Sequence, residues 1–517
     1  MTRFSRWLVC TVAASLVGSP VLARPGGGGG GSIGGVVGGV VGGLGGTLGN
    51  TVGAVGNTVG GVLGGVRTTV GGLTGGGGLL GGLSGGGRAG LLGSGNSFGG
   101  RSGLPGGGGS GALGTLYTQR GSFGEALALD QVGGAFATGS ASPSEFEDYR
   151  EARMAALIAA NPGVLDRDSR GAPVRKHEVV ATNPDPTSLA LATHAGFRVV
   201  GDEFEAGLGI RVVTLAIPGR MNVRQAMKTI RAVAPAMRVD FNHVYEPSGG
   251  ALLPVAGARL AASYRPARRT RAVAAMPAPR PVTRIAMIDG GIASHPSLAR
   301  ASIVQQGFAG APQATGHGTA VGSLLVGDQG PFRGAARGAE LFVGDVYGGN
   351  PAAGSVTSIV RALNWAASKN PSVINISLVG PDNSALARAI AAITARGIPV
   401  VAAVGNDGPA APPQYPASYA GVVSVTGVDS VGRALREAGA ATHLDFAAPG
   451  ADMVAAYPGN GYLPVRGTSF AAPLAAARLA LSGSYQRLML EARPGYGKVG
   501  RGIVCGQCRV DPKLLRK

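Results

Sequence analysis

The serine at position 469 is the residue whose setting first suggests chemistry. It lies in RGTSFAAP (466–473), between a Gly-Thr pair and a run of small apolar residues, and it opens a predicted helix, SFAAPLAAARLALSG. There its hydroxyl would face the positive end of the helix dipole and free N–H groups, which favour a developing negative charge. A serine in this place can also simply cap the helix. A nucleophilic role requires a base, a group that orients the base and a donor to the oxyanion.

Three other residues of the C-terminal half fit these requirements. Asp289 ends the apolar stretch RIAMID, and parallel sheets carry their chemistry at the carboxyl ends of strands. Of His295, His317 and His443, His317 is the best candidate base, because its two flanking glycines let the backbone approach closely and an apolar helix follows. Asn406 follows the apolar stretch IPVVAAVG, where its amide could point into a cleft. The order Asp, His, Asn, Ser within one domain favours the nucleophilic reading of the serine.

The segments around these residues alternate between strand and helix. Short, continuous apolar runs indicate strands buried on both faces, as in a parallel sheet, and segments with helical spacing lie between them. The predicted strands are 284–289, 340–347, 373–378, 398–405 and 422–428, and the predicted helices are 355–370 and 384–397. The predicted fold is therefore α/β, a parallel sheet sandwiched by helices.

The same motifs resemble the subtilisin-like serine peptidases. AMIDGGIASHPSL, GHGTAVG, VINISLVGP, AAVGNDG and RGTSFAAP are similar to the Asp, His, substrate-strand, oxyanion and Ser motifs of that family, in its chain order. The stretches YPASYAGVVSVTGVD and LDFAAPG match as well. The resemblance runs from about residue 284 to about residue 483. It implies a subtilisin-like fold and hydrolysis of peptide bonds through an acyl-enzyme.

The resemblance also assigns roles to single residues. It makes Ser469 the nucleophile, His317 the general base and then acid, Asp289 the group that orients the imidazole, and Asn406 an oxyanion donor together with the backbone N–H of the serine. It places substrate binding on one extended strand, formed by Ser377, Leu378, Val379 and Gly380.

Two positions depart from the pattern of the family. Gly290 stands where relatives often carry Ser or Thr, which removes a hydroxyl near Asp289. Val379 stands where relatives often carry Gly, so we expect a narrow first specificity pocket and no preference for large aromatic residues. The stretch between Asp289 and His317 is short, so the calcium loops of some relatives are expected to be missing. No cofactor and no metal site are predicted, and a structural calcium is left open.

Residues 140–247 predict a helix followed by a small α+β domain. The helix spans 142–163; strands at 178–182, 197–205, 210–217 and 238–245 then alternate with helices at 188–196 and 222–234, in the βαββαβ order of ferredoxin-like domains. His194 and His243 stand alone in it and are predicted to be structural. The domain is similar to the propeptides of the family, which assist folding and block the active site until they are removed. The resemblance implies that its C-terminal end lies in the substrate cleft.

The remaining segments complete the predicted organisation. Residues 1–23 have the charged start, short apolar core and small final residue of a signal peptide, which predicts export to the periplasm, the cell surface or the medium. Residues 24–135 are rich in glycine, which favours a flexible linker and leaves membrane contact or self-association open. The Pro/Arg-rich linker 248–282, where self-cleavage is predicted, is expected to be extended and accessible. The catalytic domain is predicted at 283–490, and a basic tail, 491–517, carries Cys505 and Cys508, whose spacing favours a local disulfide over a zinc site.

Charge narrows the choice of partners. The net charge of +19 comes from 46 Lys and Arg against 27 Asp and Glu, but the arginines are scattered and no aromatic–basic platform for single strands is seen. We therefore expect protein or peptide substrates and no nucleic acid. The leading hypothesis is an exported serine endopeptidase made as a zymogen. Two others stay open: a catalytically silent binding module with the same fold, and a surface protein whose active part is the glycine-rich segment.

Overall fold

The computed structural model describes residues 143–248, 250–251, 282–459 and 461–515, all within one compact unit, residues 104–517. The predicted signal peptide, the glycine-rich segment and most of the linker lie outside the described residues. None of the helices in the described ranges is long and apolar enough to cross a membrane.

The first described part is a helix followed by a small antiparallel domain. Its elements are α1 (Pro143–Ala160), β1 (Leu165–Arg167), β2 (Pro173–Thr182), α2 (Pro186–His194), β3 (Arg198–Glu205), β4 (Ile210–Ala216), α3 (Val223–Val233) and β5 (Val239–His243). Apart from the short β1, the order is the expected βαββαβ, and the strands lie in the order β5-β2-β4-β3. Helix α3 starts where Asn222 and Gln225 form a reciprocal capping box.

This sheet has two buried faces. One face packs with α2 and α3 around Val179, Leu215 and Ile230. The other face contributes Val180 and Val212 to a core that it shares with helices of the following domain. The small domain is therefore docked through its sheet, because both faces carry apolar residues that must leave water.

Two short strands, β6 (Glu246–Pro247) and β7 (Gly250–Ala251), lead into the larger domain. Its strands are β8 (Arg284–Asp289), β9 (Ser302–Gly307), β10 (Asp328–Gln329), β11 (Phe332–Arg333), β12 (Glu340–Asp345), β13 (Val373–Ile376), β14 (Leu378–Val379), β15 (Val400–Ala403), β16 (Val422–Val428), β17 (Phe446–Pro449), β18 (Met453–Tyr457) and β19 (Gly461–Arg466). Its helices are α4 (Gly316–Val326), α5 (Val356–Ser368), α6 (Ser384–Ala395), α7 (Thr468–Ser482) and α8 (Tyr485–Glu491). Short 3-10 helices lie at Pro296–Leu298, Pro351–Ala353, Gly506–Cys508 and Pro512–Leu515.

Seven parallel strands form the central sheet, in the order β17-β16-β15-β13-β8-β12-β9. Alternate residues of β8 face opposite sides: Met287 packs with α4 and α7, and Ile288 packs with α5 and α6. This is the predicted helix-covered parallel sheet. The sequence did not predict β9, β17, β18 or β19. In β9 the reason is visible, since this edge strand has mostly exposed side chains and no continuous apolar run.

Two expectations about the connecting segments change. The linker was expected to be accessible, but its first residue, Ser248, is buried, and β7 pairs with β19. Its last residue, Val282, is exposed, and residues 249 and 252–281 lie outside the described residues. The C-terminal tail is not a separate segment. Val504 and Cys505 lie in the core beside α7, and Ala447 of the edge strand β17 exchanges hydrogen bonds with Gly502 and Val504. Cys505 and Cys508 form a disulfide, as their spacing favoured.

Candidate active site

Asp289, His317 and Ser469 come together from three distant segments. Asp289 is the last residue of β8, near the middle of the sheet. His317 lies in the first turn of α4, where the Thr315 hydroxyl accepts a hydrogen bond from the N–H of Gly318 at 2.9 Å. Ser469 lies in the first turn of α7. Because strands end and these helices begin at the same edge of the sheet, the three side chains converge.

A continuous line of hydrogen bonds joins these side chains. Asp289 Oδ1 lies 2.9 Å from His317 Nδ1, and His317 Nε2 lies 2.9 Å from Ser469 Oγ. All three residues are buried, with exposed fractions of 1%, 7% and 0%. A neutral imidazole that donates from Nδ1 to the carboxylate leaves Nε2 free to accept the hydroxyl proton. The arrangement can therefore generate a nucleophilic oxygen at Ser469.

The carboxylate of Asp289 is held through one oxygen. Oδ1 also accepts the N–H of Gly290 at 2.7 Å, whereas Oδ2 is buried and has no hydrogen-bond partner among the described residues. A side chain at position 290 would collide with Thr315, which fills that space. Gly290, which departs from the pattern of the family, thus coincides with an unsatisfied oxygen, Oδ2, on Asp289.

Asn406 lies three residues past the end of β15, beyond Gly405, which adopts a φ of +94°. Its Oδ1 accepts the N–H of Thr468 at 3.0 Å, which ties the amide to the start of α7. Its Nδ2 is buried and finds no acceptor within the described ranges. A buried donor without a partner costs free energy, and a preformed oxyanion site is a place where such a donor is kept. Asn406 therefore has the properties of an oxyanion donor.

A stretch of the same chain occupies the cleft in extended form. β6 pairs antiparallel with β14, and the N–H of Ser248 donates to the carbonyl of Ser377 at 3.1 Å. The N–H of Ser469 donates to the carbonyl oxygen of Ser248 at 3.0 Å, and the Ser469 hydroxyl contacts the same oxygen. Beyond it, β7 pairs antiparallel with β19. The carbonyl of Ser248 is therefore placed as that of a substrate would be. We call residues 245–248 together with 250–251 the docked segment.

The four predicted substrate-binding residues all lie along the docked segment. Ser377, Leu378 and Val379 contact it through backbone pairing. Gly380 lies under the ring of Tyr245, since a Cβ at Gly380 would come within 2.6 Å of that ring. Val379 points towards Gly405 on the facing loop, with its Cγ1 3.6 Å from where a Cβ would lie there.

Tyr245 anchors the docked segment. Its side chain is fully buried, and its hydroxyl donates to the carbonyl of Pro381. Its backbone N–H donates to the carbonyl of Gly354 at 2.8 Å. Burial, and to a smaller extent Tyr419 and nearby carboxylates, raise the pKa of the Tyr245 hydroxyl well above its usual value, so it stays a neutral donor.

Sequence reasoning missed a cluster of three charged residues, one in this segment and two beside it. Arg153 of α1 lies 3.0 Å from Glu246 and 3.0 Å from Asp407, which directly follows Asn406. The arginine and the aspartate are 254 residues apart in the chain, so no local pattern relates them.

Three other histidines make hydrogen bonds that do not involve Asp289 or Ser469. His243 is buried between the small domain and the start of α6, with Nε2 3.3 Å from Asp168 Oδ2 and Nδ1 3.1 Å from Asn383 Nδ2. His295 Nδ1 lies 2.8 Å from Ser297 Oγ, and His443 Nε2 lies 2.9 Å from the carbonyl of Val422. In the part of the chain that the structure describes, no group of three or more His, Cys, Asp or Glu side chains could hold a metal ion.

Comparison with known proteins gives the family. The model of the subtilase family matches residues 282–492. Subtilisin Savinase of Lederbergia lenta is 37% identical over 204 residues, which are 38% of this chain and 75% of that protein. An alkaline protease of Shouchella clausii is also 37% identical over 204 residues, but the match spans 53% of its length.

A solved structure is similar in fold. Fervidolysin from Fervidobacterium pennivorans, described as a keratinolytic enzyme related to subtilisin, superposes with a TM-score of 0.51 at 19% identity. The match covers 66% of this chain and 61% of fervidolysin, and at this identity it bears on the fold alone. The sequence matches, the fold and the serine site agree, and the chain belongs to the subtilase family of serine endopeptidases, which act on proteins or peptides.

Proposed function

We propose that the protein is made as an exported zymogen, that it cleaves its own chain between Ser248 and Gly249, and that it then hydrolyses other proteins or peptides. The observation that carries the proposal is the position of the Ser248 carbonyl, whose oxygen accepts the Ser469 N–H at 3.0 Å while β6 is paired with β14. The signal-like residues 1–23 support export.

The geometry supports a complete catalytic cycle. Ser469 Oγ attacks the carbonyl carbon of Ser248 while His317 Nε2 takes the hydroxyl proton, and Asp289 stabilises the imidazolium. The tetrahedral oxyanion accepts hydrogen bonds from the Ser469 N–H and from the Asn406 amide.

The intermediate then breaks the bond to the amide nitrogen of Gly249. His317 gives its proton to that nitrogen, which leaves as a free amine, and Ser248 remains as an ester on Ser469. A water molecule, deprotonated by His317, attacks the ester. The ester bond breaks, Ser469 regains its proton and Ser248 leaves with a free carboxylate.

The small domain acts as an inhibitor in cis in this proposal. One face of its sheet shares a core with α5 and α6, and the buried Tyr245 fixes the segment that it sends into the cleft. Cleavage at Ser248 removes one covalent bond but none of these contacts. Other substrates can therefore bind in the cleft only after the small domain has dissociated or been degraded.

The test compares full-length wild type with Ser469→Ala, made without other proteases. Wild type should yield a fragment whose N-terminal residue is Gly249, whereas Ser469→Ala should keep the bond intact. Ser482→Ala, at the far end of the same helix, serves as the matched control and should process like wild type. A fluorophosphonate probe should label the processed wild type and not Ser469→Ala.

Two results would count against the proposal. The same fragment from Ser469→Ala would mean that processing is not autocatalytic. Full peptidase activity with residues 143–248 still covalently attached would mean that the small domain is not an inhibitor.

A further inference from the structure

Arg153, Glu246 and Asp407 form an ion triad at the edge of the cleft. One guanidinium nitrogen of Arg153 lies 3.0 Å from Glu246 Oε2 and 3.0 Å from Asp407 Oδ1. The side chains are largely buried, with exposed fractions of 18%, 16% and 5%. The triad joins three separate parts of the molecule: helix α1, the docked segment and the loop that carries Asn406.

The position of Glu246 relative to the cleaved bond follows from the docked segment. Ser248 presents its carbonyl to Ser469, so Glu246 is the third residue on the N-terminal side of that bond. Its backbone pairs with Val379 on the substrate-binding strand. A substrate that docks in the same register would place its own third residue beside Asp407.

The two carboxylates of the triad repel each other electrostatically. Both lie against the same nitrogen of Arg153, so they are close neighbours. Burial raises the pKa of Glu246, Arg153 opposes this shift, Asp407 adds to it, and Arg150 of the same helix also opposes it. Without helix α1 the acidic residue of the docked segment would face Asp407 with no intervening cation, which is unfavourable for both.

We propose that Asp407 is a specificity-determining residue that favours an Arg or Lys at the third position before the cleaved bond, and that Arg153 takes the place of that cation in the precursor. This inference rests on the proposed function, because it assumes that the small domain and helix α1 leave the cleft. Their departure removes Arg153 from Asp407 and leaves the Asp407 carboxylate near the position that the Glu246 side chain occupies in the precursor. An arginine at that position can place its guanidinium where the guanidinium of Arg153 lies.

The first experiment uses the self-processed enzyme and three heptapeptides with the sequence of the docked segment, Tyr-X-Pro-Ser-Gly-Gly-Ala, where X is Arg, Gln or Glu. At low salt, wild type should cleave the Arg peptide with a kcat/KM about tenfold above that of the Glu peptide. The Arg side chain would form a partly buried ion pair with Asp407, whereas the Glu side chain would be repelled by it. The ratio should shrink in about 0.5 M NaCl, because salt screens charges at a rim.

Variants assign the preference to Asp407. In Asp407→Asn the ratio of the Arg to the Glu peptide should approach one; ratios are taken within each variant, so a general change in activity cancels. Asp328→Asn removes the same charge from the hairpin of β10 and β11 and should keep the wild-type ratio. An unchanged ratio in Asp407→Asn, or a wild type that prefers the Glu peptide, overturns the proposal. If the enzyme processes itself but cleaves none of the peptides, the proposed role of Asp407 fails while self-processing stands. If self-processing is also absent, the proposed function fails as well.

The second experiment uses the full-length precursor. Arg153→Gln should slow cleavage after Ser248 about tenfold, because it leaves Glu246 against Asp407. Adding Glu246→Arg should restore the rate, because the new cation reaches Asp407 directly. A double variant as slow as Arg153→Gln alone would show that the triad acts through the position of α1 and not through charge at the third residue.

Discussion

Replacing Asn406 tests whether the unpartnered amide in the cleft serves the oxyanion. In the structure, its Nδ2 is buried without an acceptor within the described ranges, while its Oδ1 accepts the N–H of Thr468 at 3.0 Å. Asn406→Ala removes both functions. Loss of a single donor to the oxyanion typically costs about 10²–10³ in rate, or roughly 3–4 kcal/mol of transition-state stabilisation. Loss of the bond to Thr468 costs about 1 kcal/mol of folding stability.

Asn406→Asp separates the two roles. The aspartate keeps an oxygen that can accept the Thr468 N–H, but it replaces the donor with a negative charge facing a developing oxyanion. We therefore expect Asn406→Asp to be slowed at least as much as Asn406→Ala, about 10²-fold or more, although it retains the contact that ties the loop to α7.

The assay follows self-cleavage of the full-length precursor by mass spectrometry. Because the docked segment is already held against Ser469 by β6 and β14, the time course reports the chemical step of a single turnover. Thermal unfolding of the same variants on a Ser469→Ala background measures the folding cost separately. Self-cleavage of Asn406→Ala at the wild-type rate would refute the assignment of the amide to the oxyanion.

Three further predictions concern the walls of the cleft and the small domain. Val379→Gly should raise the ratio of kcat/KM for peptides with Phe before the cleaved bond to kcat/KM for peptides with Ala there by about tenfold, because it removes the side chain that approaches Gly405. A ratio equal to that of wild type would show that this valine does not line the pocket. Gly380→Ala should slow self-cleavage about tenfold, because its methyl group would lie 2.6 Å from the ring of Tyr245, and Tyr245→Ala should relieve part of that defect; no slowing would mean that the ring moves freely. Burial raises the pKa of Asp168, but hydrogen bonds from His243 and from two backbone N–H groups outweigh this effect, so the pKa is lowered from its usual value of 3.8. The ionised Asp168 therefore stabilises the fold fully above pH 3.8, and this stabilisation is lost as the pH falls through the lowered pKa. The urea midpoint of a Ser469→Ala precursor should therefore drop between about pH 5 and pH 3, and Asp168→Asn should drop less; equal drops would contradict the linkage.

The structure brings together candidate site residues that the sequence singles out because they lie next to strong local signals. Asp289 ends a strand with five buried residues in a row, and glycines flank His317 at a helix start. Chain order and the resemblance then linked motifs that are far apart. The central sheet was predictable for the same reason, since its inner strands are continuous apolar runs.

The docked segment shows where sequence reasoning stops. β6 and β7 have two residues each, too few to form any periodic pattern, and their pairing depends on β14 and β19, which lie more than 100 residues later in the chain. The triad around Arg153 is a tertiary contact of the same kind. Composition marked the start of the linker as accessible because proline and arginine are usually exposed, but it could not show that a neighbouring cleft binds this stretch as a strand.

The C-terminal tail determines how far the chain can be shortened. The family match ends at residue 492, yet the tail beyond it supplies hydrogen bonds to Ala447 on the outermost strand, and Glu491 holds both Arg478 of α7 and the N–H of Cys505. A truncation at residue 492 would leave an open sheet edge, which invites pairing with another chain, and would remove the N–H of Cys505 that donates to Glu491. An expression boundary that keeps this edge covered therefore has to extend past Val510, whose side chain packs with Phe332 and Val454.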